Sequence, residues 1–186
     1  PRSTLFPYTT LFRSPRVFGA RPGNPVLFTV PATGAPPLAY GAENLPPGLS
    51  LDPRTGLLTG AVARPGTYPV TLTVSNALGT ARRLWRLEIG GRLALTPPMG
   101  WNSWNALAHT VSDAAIRQAA DAMARSGLIR HGWAYINIDD YWQTCPAEKD
   151  DPTLIGPARD PDGRILPNRR FPDMKALAAH VHGLGL

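Results

Sequence analysis

Cysteine is nearly absent: Cys145 is the only one in 186 residues. That excludes a disulfide framework and a metal cluster built from cysteines, and leaves the redox compartment open. Histidine is scarce as well. His109, His131, His180 and His182 form no tight ligand motif, and on a helix the rings of His180-x-His182 would point to different sides. Nothing in the sequence therefore calls for a metal or a cofactor. Charge is thin at 17%, and no apolar run approaches the roughly 18–20 residues of a membrane-spanning helix. Lysine is limited to Lys149 and Lys175. What is abundant is proline and glycine, 21 and 18 residues, so turns and loops make up much of the chain. The 43% hydrophobic content is that of an ordinary globular protein rather than a disordered one.

The net charge of +6 is unevenly spread. Ten arginines face Glu43, Asp52 and Glu88 up to Arg92, a balance of +7, whereas the remainder is close to neutral. A basic half can mark a nucleic-acid or anionic-surface partner. Here the basic residues lie scattered among proline and glycine, without a stripe of interleaved aromatics, so no nucleic-acid partner is expected. The dominance of arginine over lysine, with much alanine, glycine and proline, fits coding from GC-rich DNA.

The segment Thr4-Leu5-Phe6-Pro7-Tyr8-Thr9-Thr10-Leu11-Phe12-Arg13-Ser14 has no charged leader, continuous apolar stretch or cleavage site, and so is not a signal peptide. It matches, residue for residue, the conceptual translation of a common short-read sequencing adapter. Residues 1–14 are accordingly read as an assembly artefact and set aside from the fold.

From 15 to 92 short β-type runs alternate with turn residues. Val26–Val30 reads as a strand, Gly66–Val74 alternates β-branched residues with a period of two, and Arg83–Ile89 alternates Arg and Glu with Leu, Trp and Ile. Leu45-Pro46-Pro47-Gly48-Leu49-Ser50-Leu51-Asp52 and Thr55-Gly56-Leu57-Leu58-Thr59-Gly60 supply tight turns between further strands. Several strands in under 80 residues with no helical period imply a small β-sandwich. Residues Leu45–Val74 resemble an immunoglobulin-like bacterial module with the pattern L-P-x-G-L-x-L-D-x-x-T-G-x-I-x-G followed by G-x-Y-x-V-x-V, with Leu58 where the module usually has Ile. The module has no shared active site, and no cluster of exposed aromatics marks this one for carbohydrate, so a spacer is expected. Gly90-Gly91-Arg92 reads as a linker.

The periodicity changes at Leu93. Ser112 is placed to cap a helix over 114–126, in which Ile116, Ala119, Ala120 and Met123 share a face and Gly127 is the stop. Ala134–Ile138 is a short apolar run, and a polar loop from Gln143 to Arg170 follows. A second helix over 173–182 gathers Met174, Leu177, Ala178 and Val181 on one face, with Gly183 as its stop. Strand, helix, strand, helix predicts parallel strands joined by crossover connections.

Two segments carry the chemistry: Thr96-Pro97-Pro98-Met99-Gly100-Trp101-Asn102-Ser103-Trp104-Asn105 and Tyr135-Ile136-Asn137-Ile138-Asp139-Asp140-Tyr141-Trp142. Each is expected to place aromatic and polar groups just past a short strand, at the strand ends where a (β/α) barrel binds substrate. Any one of these residues alone would as readily be a helix cap or a core indole. Adjacent carboxylates together with Trp101, Trp104 and Trp142 suit a sugar, because carboxylates grip hydroxyls and flat rings cover an apolar C–H face. Asp139 and Asp140, read as neighbours on a strand, point to different sides, which suits hydroxyl recognition better than a catalytic pair.

Those two segments and Arg170-Phe171-Pro172-Asp173-Met174-Lys175-Ala176-Leu177 resemble the opening of glycoside hydrolase family 27, the α-galactosidase or melibiase family. The resemblance covers Leu93–Leu186. It implies a (β/α)8 TIM barrel and hydrolysis with retention of anomeric configuration. It makes Trp104 a hydrophobic wall of a galactose pocket, with Asp139 and Asp140 accepting from the sugar's 4- and 6-hydroxyls. The partner implied is an α-galactoside oligosaccharide or polysaccharide. Some members have cysteines in the loop after the first strand and beside the paired aspartates; Ala106, Leu107, Ala108 and Tyr141 stand there instead, so that disulfide is absent.

The whole reads as a multidomain chain: a small all-β immunoglobulin-like sandwich over 15–92, then the first β/α units of a truncated barrel over 93–186. The nucleophile and acid/base that the family uses are expected beyond Leu186, so the 186 residues by themselves are expected to be inactive. Sister specificities, α-N-acetylgalactosaminidase or β-L-arabinopyranosidase, would share every residue seen here, and a non-enzymatic carbohydrate-binding or spacer protein stays open. The family and its module imply a secreted or periplasmic location.

Overall fold

The computed structural model describes residues 10–186. They form two compact units: one of residues up to Met99 with Gly127–Ala134 and Gly185, the other of Gly100–Ser126 and Tyr135–Leu184 with Leu186. No helix of the described residues is long and apolar enough to cross a membrane.

The first unit is a β-sandwich. Its strands are β1 (Leu11–Phe12), β2 (Val17–Ala20), β3 (Pro25–Thr29), β4 (Ala32–Thr33), β5 (Ala39–Glu43), β6 (Leu49–Leu51), β7 (Leu57–Ala61), β8 (Gly66–Asn76) and β9 (Gly79–Ile89). One sheet runs β2-β9-β8-β5 and the other β3-β7-β6, with β1 and β4 paired beside them. All pairings are antiparallel except β2 with β9. The period-two pattern of β8 buries Val70, Leu72 and Val74, and that of β9 buries Trp85, Leu87 and Ile89. Leu58 and Val26 come from the opposite sheet, and Phe28 stacks on Trp85 with centroids 4.9 Å apart. The outward positions of β9 carry Arg82, Leu84 and Arg86, as the alternation requires. Within β7 the backbone comes so close to its neighbour that only glycine fits without strain: at Gly60, with φ 119°, an added Cβ would lie 2.0 Å from the Gly48 carbonyl oxygen.

Of the adapter-like segment, residues 1–9 lie outside the described residues. The rest is built into the sandwich: Leu11–Phe12 pair with Ala32–Thr33, Thr10 Oγ1 donates to the Val74 carbonyl at 3.2 Å, and the Arg83 guanidinium lies over the Phe12 ring. Gly90-Gly91-Arg92, read as a linker, makes contacts with β2. Gly90 N donates to the Ala20 carbonyl, and Arg92 and Leu95 crowd Gly19 of β2.

The second unit holds a β–helix–β arrangement. β10 (Gly100–Asn102) pairs in parallel with β11 (Tyr135–Asn137), in the register Trp101 to Ile136. Between them come α1 (Trp104–Leu107), a 3-10 turn over Ala108–Thr110 and α2 (Asp113–Ser126); α3 (Met174–Gly183) follows the long loop. Ser112 Oγ accepts from Ala115 N at the start of α2, and the left-handed φ of 76° at Gly127 ends it. Asp173 caps α3 by accepting from Ala176 N at 2.9 Å. Val111, Ile116, Phe171 and Leu177 make the core of this unit, with Met174 and Val181 against them.

Three expectations are corrected here, and one element is new. The first motif does not lie wholly past its strand: Gly100-Trp101-Asn102 is itself β10, because an added Cβ at Gly100 would sit 2.1 Å from the Tyr135 carbonyl oxygen and only glycine lets the backbones approach. Trp104 opens a short helix that no local period announced. Gly183 does not stop α3: it is the helix's last residue, and the left-handed position is Gly185, with φ 81°. Ala178 is exposed, off the buried face. The polar loop from Gln143 to Arg170 is also more ordered than its composition implies, with bridges Gln143 to Pro167 and Arg159 to Ile165 and a buried Leu154.

Candidate functional site

The ends of β10 and β11 are joined by side chains of their own motifs. Ser103, 1% exposed, donates its backbone N–H to the Asn137 carbonyl at 3.0 Å, and its Oγ accepts from Asp139 N at 2.9 Å. Asn137 Nδ2 donates to the Trp101 carbonyl at 3.1 Å. Asn102 uses both ends of its amide: Oδ1 accepts from Trp104 N at 2.9 Å, and Nδ2 donates to Asp139 Oδ2 at 2.8 Å. Motifs some 35 residues apart thus meet through four short hydrogen bonds.

Asp139 and Asp140 are both exposed and lie past the end of β11, in a turn. Strand alternation therefore does not separate them; local hydrogen bonding does. Asp139 Oδ1 accepts from Asp140 N at 2.9 Å, while Asp140 Oδ1 accepts from Tyr141 N at 2.8 Å and from Gln143 Nε2 at 2.6 Å. An ionised carboxylate offers about four acceptor positions. Two protein hydrogen bonds on each leave both able to accept from ligand hydroxyls.

The three indoles part company. Trp104 is 41% exposed and stacks on Tyr141, with centroids 6.1 Å apart and planes at 29°. Trp101 and Trp142 are half-buried against the Val111, Ile116, Phe171 and Leu177 cluster. The structure therefore gathers Trp104, Asp139 and Asp140 as solvent-facing groups and gives Trp101 and Trp142 a share in the core.

Three supporting residues escaped the sequence reading. Asn102 and Ser103 sit inside a motif already noted, so a polar pair between two indoles was the available signal. Asn168, 2% exposed, clamps the turn after the aspartates: Nδ2 donates to the Tyr141 carbonyl at 2.7 Å and to the Gln143 carbonyl at 3.2 Å. Nothing local in its sequence marks that role. Nearby, Arg170 ties the loop down through Asp151, Thr153 Oγ1 and the His109 carbonyl. Hydrogen bonds from Thr153, with the Arg170 guanidinium beside them, hold the Asp151 carboxyl below the usual carboxylate range. Among the described residues, no group of three or more His, Cys, Asp or Glu side chains is placed to hold a metal.

The described residues thus comprise a β-sandwich and, in the second unit, a parallel strand pair with polar and aromatic groups at its ends. The family model described as "Putative Ig domain" matches residues 9–89. An α-galactosidase of Oryza sativa subsp. japonica is 42% identical over 108 residues, covering 57% of this chain and 23% of the relative. Two solved structures from Bacteroides fragilis NCTC 9343, named a putative alpha-galactosidase and a putative alpha-galactosidase/melibiase, both superpose with a TM-score of 0.82. They are 38% and 41% identical, cover 96% and 100% of this chain, and are themselves covered to 36% and 38%. The chain is a homologue of the α-galactosidases and carries an immunoglobulin-like domain. It spans about a quarter of the curated relative's length and little more than a third of the solved ones.

Proposed function

We propose that residues 93–186 are the opening β/α units of a (β/α)8 barrel and form the sugar-gripping side of a retaining α-galactosidase site. The observation that carries this is the triad of solvent-facing groups at two parallel strand ends: one indole face at Trp104, and two carboxylates, Asp139 and Asp140, each with acceptor positions left. A site that bonds particular hydroxyls rejects sugars that misplace them, since its carboxylates would be left unpaired. The α-galactosidase homologues supply the substrate class, a terminal α-D-galactosyl residue. Cleavage with retention needs a nucleophile and an acid/base about 5–5.5 Å apart. Asp139 and Asp140 are engaged in the turn and serve recognition, so residues 1–186 bind without cleaving, and the pair that cleaves belongs to later barrel strands. The setting is export from a bacterial cell, with the sandwich as spacer.

Two experiments test this. Purified 186-residue chain should release no nitrophenol from an aryl α-galactoside above a D139A/D140A control; measurable release would refute the assignment of roles. The coding DNA following the codon for Leu186 should encode further β/α units with a Lys-x-Asp strand end and a later strand-end Asp. An in-frame stop directly after that codon would refute the barrel reading and favour a binding module.

A further inference from the structure

Tyr141 has no part in the reading above, yet its surroundings are unusually determined. Its backbone lies in the left-handed region, with φ 67°, a conformation that bulky residues seldom adopt and that persists only where neighbours impose it. Here the neighbours are named: Asp140 Oδ1 accepts from Tyr141 N, and buried Asn168 donates to the Tyr141 carbonyl. The ring so placed packs against the core of its unit and touches two others. It meets Trp104 at 6.1 Å and 29°, and the His109 imidazole at 6.1 Å and 61°, both within the range of favourable aromatic pairs.

Trp104 needs such a neighbour. It sits on a four-residue helix, far short of the roughly 12–15 residues at which an isolated helix holds itself, and its indole is 41% exposed. Asn102 fixes its backbone N–H but nothing of its ring. We infer that Tyr141 is a positioning residue: held in a left-handed turn by Asp140 and Asn168, its ring orients the Trp104 indole for stacking on sugar. This deepens the galactoside reading and rests on it. The same turn links the two kinds of recognition, because the carboxylate of Asp140 both faces the ligand and holds Tyr141.

The test uses the whole chain labelled with 15N-tryptophan, the Trp104 indole being assigned by Trp104→Phe. In the unsubstituted chain, Overhauser contacts between Tyr141 ring protons and the Trp104 indole are expected without any sugar; their absence overturns the proposal. Y141F should preserve the Trp104 signal. Y141L should move it while the Val111 and Ile116 methyl signals, buried in the same unit, stay in place. Titration with methyl α-D-galactopyranoside should then need about two- to tenfold more sugar in Y141L, the scale of one aromatic pair, and no more in Y141F. An unmoved Trp104 signal with an unchanged titration in Y141L overturns the positioning role. If Y141L disturbs the methyl signals, the Overhauser contact and Y141F decide alone, each able to overturn it. If the sugar leaves Trp104 untouched in the unsubstituted chain, the galactoside reading has failed, and the sugar-free measurements still judge Tyr141.

Discussion

The two compact units of this chain distribute their residues in opposite ways. The sandwich has two eleven-residue strands, β8 and β9, and thirteen buried apolar residues, and its motifs end in tight turns. The second unit has two three-residue strands and a buried cluster of four, and its polar and aromatic motif residues lie in or just past those short strands. In the first, nearly every alternate residue goes to the core. In the second, Asn102, Ser103, Asn137 and Asp139 are held by hydrogen bonds among themselves at the strand ends, and the indoles by packing and stacking. The proposed recognition groups gather at the strand ends, and the scaffold that presents them is correspondingly thin.

That contrast can be broken by substitution. The largest effect is expected in the thin core: Phe171→Ala removes the largest member of the four-residue buried cluster at a cost of about 3–5 kcal/mol, comparable to the whole stability of a marginal unit. Dispersed signals of Ile116 and Leu177 should collapse. Trp85→Ala deletes a fully buried indole at a similar cost, yet the sandwich, with twelve other core residues, should still show a cooperative though weakened urea transition by circular dichroism. A sandwich that unfolds outright while the Phe171→Ala unit survives would reverse the comparison. For the same reason residues 93–186, expressed alone, should unfold without cooperativity, since two short parallel strands leave edges and faces uncovered.

A smaller effect should follow Ser103→Ala. It leaves the Asp139 N–H without its acceptor in a partly buried place, a loss of about 1–3 kcal/mol, and should speed amide exchange at Asp139. Unchanged exchange would mean that the strand ends are held by something other than this bond.

The smallest is a matter of pH. Both units contain a carboxyl held below its ordinary value: Asp52 by backbone N–H groups of Arg54 and Thr55, and Asp151 by Thr153 and then Arg170. A group lowered in the folded state stabilises above its unfolded value, near 4, and that contribution is lost as pH falls through the lowered folded value. Urea transitions followed from neutral pH to about 3 should therefore weaken on acidification. Asp52→Asn should flatten this for the sandwich and Asp151→Asn for the second unit. Asp151 has the more consequential partner, because Arg170 also holds the His109 carbonyl. Identical pH profiles for Asp151→Asn and the parent chain would contradict its role.

How legible each unit was in the sequence follows the same division. The alternation in Gly66–Val74 and Arg83–Ile89 is a local signal that burial on one face makes compulsory, so most of β8 and the buried half of β9 could be read, while the start of β9 at Gly79 could not. Helix α2 was legible for the like reason, with Ile116, Ala120 and Met123 buried on one face. The site was legible only as a set of residues. That Gly100-Trp101-Asn102 is itself a strand depends on pairing with residues 35 positions away. That Asp139 and Asp140 lie in a turn, and that Trp101 and Trp142 share the core while Trp104 does not, depends on that pairing too. Asn168 and the left-handed Tyr141 are further examples: their roles exist only once the turn and the loop have met.

The most direct measurement is the binding of methyl α-D-galactopyranoside against its 4-epimer, methyl α-D-glucopyranoside, to the whole chain, followed on the assigned Trp104 indole. The account predicts that the galactoside shifts this signal, that the glucoside does so far less, and that D139N/D140N removes the difference between them. Equal response to both sugars, or a preference that survives loss of both carboxylates, would contradict it.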